Sequence, residues 1–234
     1  MLGQMSKVYQ ILSGIDKEEY EVKSSTKKYF YKYSSFSNSP SIDPKCVIAE
    51  ELLKLRKMDY DIVECDEPCM SPNGELPFIS DSVGNTLDYS QLIHEYGIEN
   101  TAEGECVSAA VRKYLEPAVY AALWCDDSIY NLITKPFHRK KLPWLISAIV
   151  VDLRRREIRK EILMKCPNSS IEQLYEDCII CLRHIALWIS ENPNKTLVHY
   201  EIKGYLSVIQ SVLPSNHDLS IIIRAERHLQ ELLE

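Results

Sequence analysis

The stretch CMSPNGELPFISD (69–81) joins a turn to a short apolar strand. Pro72, Asn73 and Gly74 favour turns, and the apolar run that follows them begins with Leu76 and Pro77. Proline has no amide hydrogen, so it normally lies at the margin of a sheet. The sequence therefore predicts a strand over 76–80 that starts at a sheet margin.

Strand and helix signals alternate on both sides of this stretch. The predicted strands cover 28–36, 60–65, 76–80 and 85–87. A helix is predicted over 45–58, with Asp43 as N-cap and Pro44 as first helical residue. A second helix is predicted to begin at Asp88 and to end at Gly97. The first two strands flank a crossover helix and should be parallel, whereas the last two should form a hairpin.

From about residue 101 every segment has the pattern of a helix. Pro117 lies inside the first of these segments and should kink it or split it in two. We therefore predict an α+β protein in three parts. These are an irregular N-terminal extension over 1–27, a small mixed domain over 28–100 and an all-helical domain over 101–234.

Composition and charge exclude several classes of protein. The formal net charge of -7 argues against a general nucleic-acid-binding protein, which needs a basic surface. The longest apolar run, LPWLISAIVV (142–151), is too short to span a membrane, and the N-terminus lacks the features of a signal peptide. The eight cysteines are scattered, so reduced thiols, mostly in the core, are expected.

The order of these elements, with a proline opening the third strand, resembles the glutathione transferase fold, in which a thioredoxin-like domain precedes an all-α domain. In that fold the proline follows a cis peptide bond, so the resemblance implies a cis bond at Leu76–Pro77. Longer motifs resemble the metaxin family, above all its second, tail-less type. These motifs are MSPNGELPFI (70–79), AVYAALWCDD (118–127), the PW pair (143–144) and EIKGYLSVI (201–209).

The metaxin resemblance implies a function in mitochondrial protein import. Metaxins are peripheral proteins on the cytosolic face of the mitochondrial outer membrane, in the sorting and assembly machinery that inserts β-barrel proteins. The implied partners are another, membrane-anchored metaxin and the outer-membrane β-barrel insertase, with cristae-organising complexes or motor adaptor proteins of neuronal mitochondrial transport as further partners. The tail-less type implies that no membrane anchor follows Glu234, so membrane contact is expected through partners.

A working transferase of this fold needs a hydroxyl or thiol near the start of its first helix. The loop before that helix contains Ser37, Ser39 and Ser41. Cys46 lies in the first helical turn, where the helix N-terminus could lower its pKa and activate it. A buried or idle Cys46 is the favoured alternative, since cysteine is so often buried.

The fold also binds glutathione through an acidic residue followed by serine at a helix N-terminus. Here Asp88 keeps the acid, Tyr89 replaces the serine, and Ser90 comes one residue late. We therefore expect no transferase activity and no cofactor. Together with Cys46, these residues are interpreted as a vestigial ligand pocket.

Two further clusters have alternative interpretations. Cys178, Cys181 and His184 suggest a metal clip, but all three fall in one predicted helix, so core packing is favoured and no metal is expected. The run DLRRREIRKE (152–161) is the most basic stretch of the chain. Its cations, candidates for contact with a partner or anionic lipid, are Arg154, Arg155, Arg156, Arg159 and Lys160. A solvated helix face with i, i+4 ion pairs is the favoured alternative, because acidic residues interleave with them.

One helix start departs from the transferase pattern. Transferase-like proteins often place a capping Thr and an Asp three residues apart at the start of a core helix, and here they are Thr196 and His199. Because His199 replaces the acid, the reciprocal hydrogen bond from a carboxylate should be lost.

The leading interpretation is a non-catalytic interaction protein. Its candidate contact elements are the first helix with Cys46 and Leu52, the corner of Leu76, Pro77 and Phe78, and the basic helix. The first rival is a diverged glutathione-dependent transferase that uses Cys46 or a loop serine. The second is a soluble cytosolic scaffold with the same fold.

Overall fold

The computed structural model describes residues 27–65, 71–140 and 144–233. Residues 1–26 of the predicted extension, Met70 and Pro143 lie outside the described residues.

The chain divides into two compact units. The described residues of the first are 27–35, 40–65 and 71–97, and those of the second are 36–39, 98–140 and 144–233.

A four-stranded sheet forms the centre of the first unit. Its strands are β1 (Lys28–Tyr33), β2 (Tyr60–Cys65), β3 (Phe78–Asp81) and β4 (Thr86–Asp88). They lie in the order β2-β1-β3-β4. β1 pairs with β2 in parallel and with β3 antiparallel, and β3 pairs with β4 antiparallel. The predicted parallel pair and the predicted hairpin are both confirmed.

Helix α1 (Pro44–Leu55) connects β1 to β2. The Asp43 carboxylate caps it by accepting hydrogen bonds from the amides of Lys45 and Cys46, at 2.9 and 3.3 Å. Proline at the first helical position leaves no amide unsatisfied. The helix ends three residues earlier than predicted, because Lys57 has a φ of +51°, outside the right-handed helical region.

The turn before β3 accommodates the proline outside the sheet. The Leu76–Pro77 peptide bond is cis. β3 begins at Phe78, two residues later than predicted, and Phe78 forms the first ladder pair with Asp88. Pro77 therefore removes no hydrogen bond from the sheet. Helix α2 (Tyr89–Tyr96) follows β4 and buries Leu92 against Phe30 and its core neighbours.

The described part of the second unit is helical. The helices are α3 (Ala102–Ala110), α4 (Glu116–Trp124), α5 (Asp127–Ile129), α6 (Lys135–Arg139), α7 (Trp144–Lys165), α8 (Ile171–Glu191), α9 (Leu197–Val212), α10 (Asp218–Ala225) and α11 (Arg227–Leu233). A sheet-based unit followed by a helical one confirms the predicted α+β class. Among the described helices, none has both the length and the apolar character needed to cross a membrane.

A π-helical turn accommodates Pro117. The turn covers Val111–Leu115, directly before α4, and the amide of Glu116 hydrogen-bonds to the carbonyl of Val111, five residues back. The chain remains helical from Ala102 to Trp124, so of the two predicted alternatives the split at Pro117 is wrong, and the kink stays a prediction. The wider turn rearranges the hydrogen bonds where proline has no amide hydrogen to offer.

Candidate functional site

The thiol of Cys46 lies in the interior of the protein. Its side chain is fully buried in the first turn of α1. Burial, reinforced by the nearby carboxylate of Asp43, raises the pKa of Cys46 well above its ordinary value. This is the opposite of the activation that a helix N-terminus would provide. The thiol is therefore protonated at neutral pH. The structure agrees with the alternative in which Cys46 is a buried residue and not a nucleophile.

The loop serines are placed differently from one another. Ser37 is exposed with a φ of +51°, whereas Ser39 and Ser41 are buried. The hydroxyl of Ser41 accepts a hydrogen bond from the amide of Asp43 at 3.2 Å. Ser41 therefore supports the cap of α1.

The carboxylate of Asp88 caps helix α2. Asp88 accepts a hydrogen bond from the amide of Gln91 at 3.0 Å, and the Gln91 side chain accepts one from the amide of Asp88 at 2.9 Å. The ring of Tyr89 lies 5.6 Å from the ammonium of Lys45. Ser90 is exposed. Asp88 and Tyr89 thus have structural contacts of their own, and their role in a vestigial pocket stays a prediction.

A buried ion pair in the first unit was not predicted from the sequence. The ammonium of Lys32 on β1 lies 2.6 Å from the carboxylate of Glu50 on α1, and both side chains are less than a tenth exposed. Lys32 also donates to the carbonyl of Pro40 at 2.8 Å, and Lys54 contacts the second oxygen of Glu50 at 2.8 Å. The only signal in the sequence is a lysine within an aromatic strand, which by itself indicates an edge or a solvent-facing position.

The basic run on α7 binds the end of helix α4. Arg155 donates to the carbonyl of Trp124 at 2.7 Å, and Arg159 donates to the carbonyl of Cys125 at 3.0 Å. Both guanidinium groups also contact the carboxylate of Asp127. Carbonyls at a helix C-terminus have no partner within the helix, and they carry partial negative charge. These two arginines thus hold the terminus of the AVYAALWCDD motif against α7.

Aromatic rings complete this contact. The guanidinium of Arg155 lies 3.7 Å from the centre of the Tyr130 ring, and that of Arg154 lies 5.5 Å from the Trp124 ring. The hydroxyl of Tyr130 donates to Asp152 at 2.8 Å. Desolvation and this acidic neighbour raise the pKa of Tyr130.

These contacts correct the expectation of one solvated face over the basic run. Arg154, Arg155 and Arg159 have partners in α4 or the residues that follow it, because α7 packs on α4. Arg156 and Lys160 are exposed. Contact of the whole run with a partner or with lipid stays a prediction, and these two cations are the members placed to make it. Helical periodicity in the sequence distinguishes the cations with partners from the exposed ones only when the side of the helix that faces the core is known.

The cysteine cluster of α8 is divided between core and surface. Cys178 and Cys181 are buried, as the core interpretation predicts, whereas His184 is exposed. Burial raises the pKa of Cys178, and it raises that of Cys181 to about 11. In the described residues, no three His, Cys, Asp or Glu side chains are arranged to hold a metal ion.

The start of α9 has a histidine-based cap in place of the acidic one. Nδ1 of His199 accepts a hydrogen bond from the amide of Thr196 at 3.1 Å, so Nε2 carries the proton and donates to the carbonyl of Asn192 at 3.0 Å. Asn100 accepts from the amide of Val198 at 3.0 Å. The hydrogen bond from a carboxylate is absent from this cap, as predicted. The neutral imidazole of His199 replaces the carboxylate as the acceptor for the amide of Thr196. Burial lowers the pKa of His199 and favours this neutral form.

Comparison with protein families identifies one related family. The model of the Tom37 family, described as "Outer mitochondrial membrane transport complex protein", matches residues 46–155. The matched region includes both the Leu76–Pro77 corner and the AVYAALWCDD motif.

Two curated relatives have similar sequences. A metaxin-1 homolog of Caenorhabditis briggsae is 22% identical over 216 residues, covering 83% of this chain and 68% of its own length. Metaxin-3 of Xenopus laevis is 22% identical over 161 residues, covering 61% of this chain and 52% of its own length. The chain therefore spans about two thirds of one relative and about half of the other.

Solved structures establish the fold. A glutathione S-transferase of Ceriporiopsis subvermispora in complex with glutathione matches with a TM-score of 0.56 at 17% identity, covering 88% of this chain and 94% of its own. A glutathione transferase of Phanerochaete chrysosporium matches with a TM-score of 0.58 at 11% identity, covering 90% and 96%. At this identity the likeness shows a glutathione-transferase-like fold, as predicted.

Proposed function

We propose that this chain, which is similar to metaxins in sequence and has a glutathione-transferase-like fold, is a metaxin-family subunit of a protein transport complex of the mitochondrial outer membrane. In finer terms, it is a non-catalytic component of the sorting and assembly machinery on the cytosolic face of that membrane. There it supports the insertion of β-barrel proteins. Its partners are another, membrane-anchored metaxin and the β-barrel insertase, with cristae-organising complexes and motor adaptor proteins as further partners.

One observation carries this proposal. The family match over residues 46–155 begins in α1 of the first unit and ends in α7 of the second, so it includes elements of both. Within it, Arg155 binds the carbonyl of Trp124, so the quoted AVYAALWCDD motif corresponds to a defined structural contact.

The buried thiol supports a non-catalytic role. A nucleophile must reach its substrate as the thiolate, and Cys46 is fully buried with a raised pKa. Asp88 is committed to the cap of α2. These observations support the use of the fold as a scaffold for protein contacts.

Co-purification tests the proposed complex. A tagged copy is isolated from gently solubilised mitochondrial membranes, with tag alone as control, and bound proteins are identified by mass spectrometry. The expected result is recovery of a second metaxin together with the β-barrel insertase. A chain that remains in the cytosolic fraction and recovers neither protein would refute the proposal and would favour the cytosolic scaffold.

The alternative is a diverged glutathione-dependent transferase, and the glutathione-bound structural neighbour favours testing it. The protein is passed over immobilised glutathione and assayed with an electrophilic aryl halide. We expect neither retention nor turnover. Retention that is lost on Asp88→Ala would establish glutathione binding at this position.

A further inference from the structure

The outer face of helix α7 carries two exposed cations between two exposed apolar pairs. The pairs are Ile149 with Leu153 and Leu163 with Met164, which are 63%, 37%, 62% and 66% exposed. Arg156 and Lys160 lie between them and are also exposed. We call these six residues the α7 stripe.

The spacing places the six side chains on one side of the helix. Successive positions are separated by four, three, four, three and one residues, which is the periodicity of a single helical face. Val151 and Ile162 are buried and lie on the opposite side, toward the core of the second unit. The stripe extends over about 22 Å at 1.5 Å per residue.

The stripe differs from an ordinary solvated helix face. Single exposed apolar residues are normal on a protein surface, but a row of large ones along one helix indicates contact with another molecule. Neither cation of the stripe makes a hydrogen bond or ion pair with another described residue, whereas Arg155 and Arg159 of the same helix do. The two cations thus remain available to an external anion.

We propose that the α7 stripe is a docking site for an amphipathic helix of a partner protein, with acidic residues at its centre and apolar residues toward both ends. Arg156 and Lys160 are one turn apart, so two carboxylates one turn apart on a facing helix would lie opposite them. The apolar pairs at the two ends would then pack against the apolar ends of the partner. This inference specifies the partner-binding surface and does not depend on which complex the chain joins.

Charge around the stripe favours a protein helix over a lipid surface. On an interfacial helix the cations usually flank the apolar face, where their heads reach the headgroups. Here they interrupt it, and Asp152 and Glu157 lie at its two edges, with Glu161 exposed beyond. A broad anionic lipid surface would lie close to these acidic side chains as well as to the two cations, and the acids would repel it. Two carboxylates at the centre of a partner helix would lie close to the two cations alone.

A designed peptide tests the docking site. The probe is a labelled helical peptide of about 18 residues, about 27 Å long, with leucine pairs near both ends and two glutamates one turn apart in the middle. Its anisotropy is measured against the full chain, and a matched peptide has lysines in place of the two glutamates. We expect the glutamate peptide to bind and the lysine peptide to bind about tenfold more weakly.

The charge-reversed chain makes the test specific. Arg156→Glu with Lys160→Glu should invert the preference, so that the lysine peptide binds the more tightly. Arg183→Glu, which changes an exposed cation of α8, should leave both affinities unchanged. Thermal unfolding of each variant is compared with wild type, and a shift is not expected because the substituted side chains are on the surface.

Other outcomes would overturn the proposal. The first is equal binding of both peptides to the wild-type chain. The second is that the chain with Arg156→Glu and Lys160→Glu still prefers the glutamate peptide. The third is that Leu163→Ser with Met164→Ser leaves binding of the glutamate peptide unchanged. The chain could instead sediment with vesicles of phosphatidylcholine and phosphatidylserine and bind neither peptide. If the substitutions in the stripe abolish that sedimentation, the stripe is assigned to lipid. Concentration-dependent dimerisation abolished by the same substitutions, again without peptide binding, would assign it to a second copy. The peptide results are independent of the co-purification result, so each proposal can fail alone.

Discussion

Adjacent arginines on helix α7 should differ sharply in their effect on stability. Arg155 is 15% exposed in its side chain and binds the carbonyl of Trp124, the carboxylate of Asp127 and the ring of Tyr130. Arg156, the next residue, is exposed. Replacing each in turn by methionine keeps most of the aliphatic stem and removes the guanidinium. Arg155→Met should destabilise the second unit strongly, and Arg156→Met should not.

The magnitude follows from the interactions that the guanidinium of Arg155 makes. A hydrogen bond that involves a charged group contributes about 1.5–3 kcal/mol, and the Arg155–Trp124 bond of 2.7 Å belongs in that class. The ion pair with Asp127 adds little, because Asp127 is 79% exposed and solvent screens the attraction. The stacking on Tyr130 adds about 0.5–1 kcal/mol. We therefore expect a loss of about 3 kcal/mol for Arg155→Met and less than about 0.5 kcal/mol for Arg156→Met.

Tryptophan fluorescence is a suitable assay. The chain has three tryptophans, Trp124, Trp144 and Trp188, and all belong to the second unit, so fluorescence follows the unfolding of that unit alone. Urea titration should show a lower midpoint for Arg155→Met with an unchanged slope. Equal stability of the two variants would refute the reasoning, since it would mean that the α7–α4 contact contributes nothing measurable.

Three further predictions concern buried groups. Because burial lowers the pKa of His199 below 6.5, the unfolded state binds the proton more tightly, so the stability that the neutral cap provides is complete above pH 6.5 and is lost as pH falls through the folded pKa. Fluorescence-monitored unfolding from pH 7.5 to 5.5 should show a loss of stability on acidification that His199→Asp lacks, and parallel profiles would contradict this. In alkylation at pH 8 followed by peptide mass spectrometry, the exposed Cys106 should react quickly and Cys46 only after unfolding; rapid native labelling of Cys46 would disprove its burial. Lys32→Met should cost about 3–5 kcal/mol by removing the closest partner of buried Glu50, and the double variant with Glu50→Leu should recover part of that loss. Hydrogen exchange in β1 would measure it, and a double variant less stable than Lys32→Met would contradict the explanation.

Sequence patterns determined the local elements of this protein. Asp43 and Pro44 predicted the start of α1, and the alternation of strand and helix signals predicted the parallel pair and the hairpin, because capping and periodicity depend on neighbours within a few residues. The turn residues before Leu76 likewise indicated the corner. The ends of elements were less accurate, as at Lys57, where a positive φ ends the helix.

Only the tertiary structure decided the role of each charged or reactive side chain. Five cations in one run look alike in sequence, but packing of α7 on α4 directs Arg155 and Arg159 to helix-terminal carbonyls and leaves Arg156 and Lys160 exposed. Burial of Cys46 and of the Lys32–Glu50 pair depends on residues distant in the chain. The pKa of a thiol and the partner of a cation are set by the dielectric and the charges that surround them in space, and a linear sequence does not specify those surroundings.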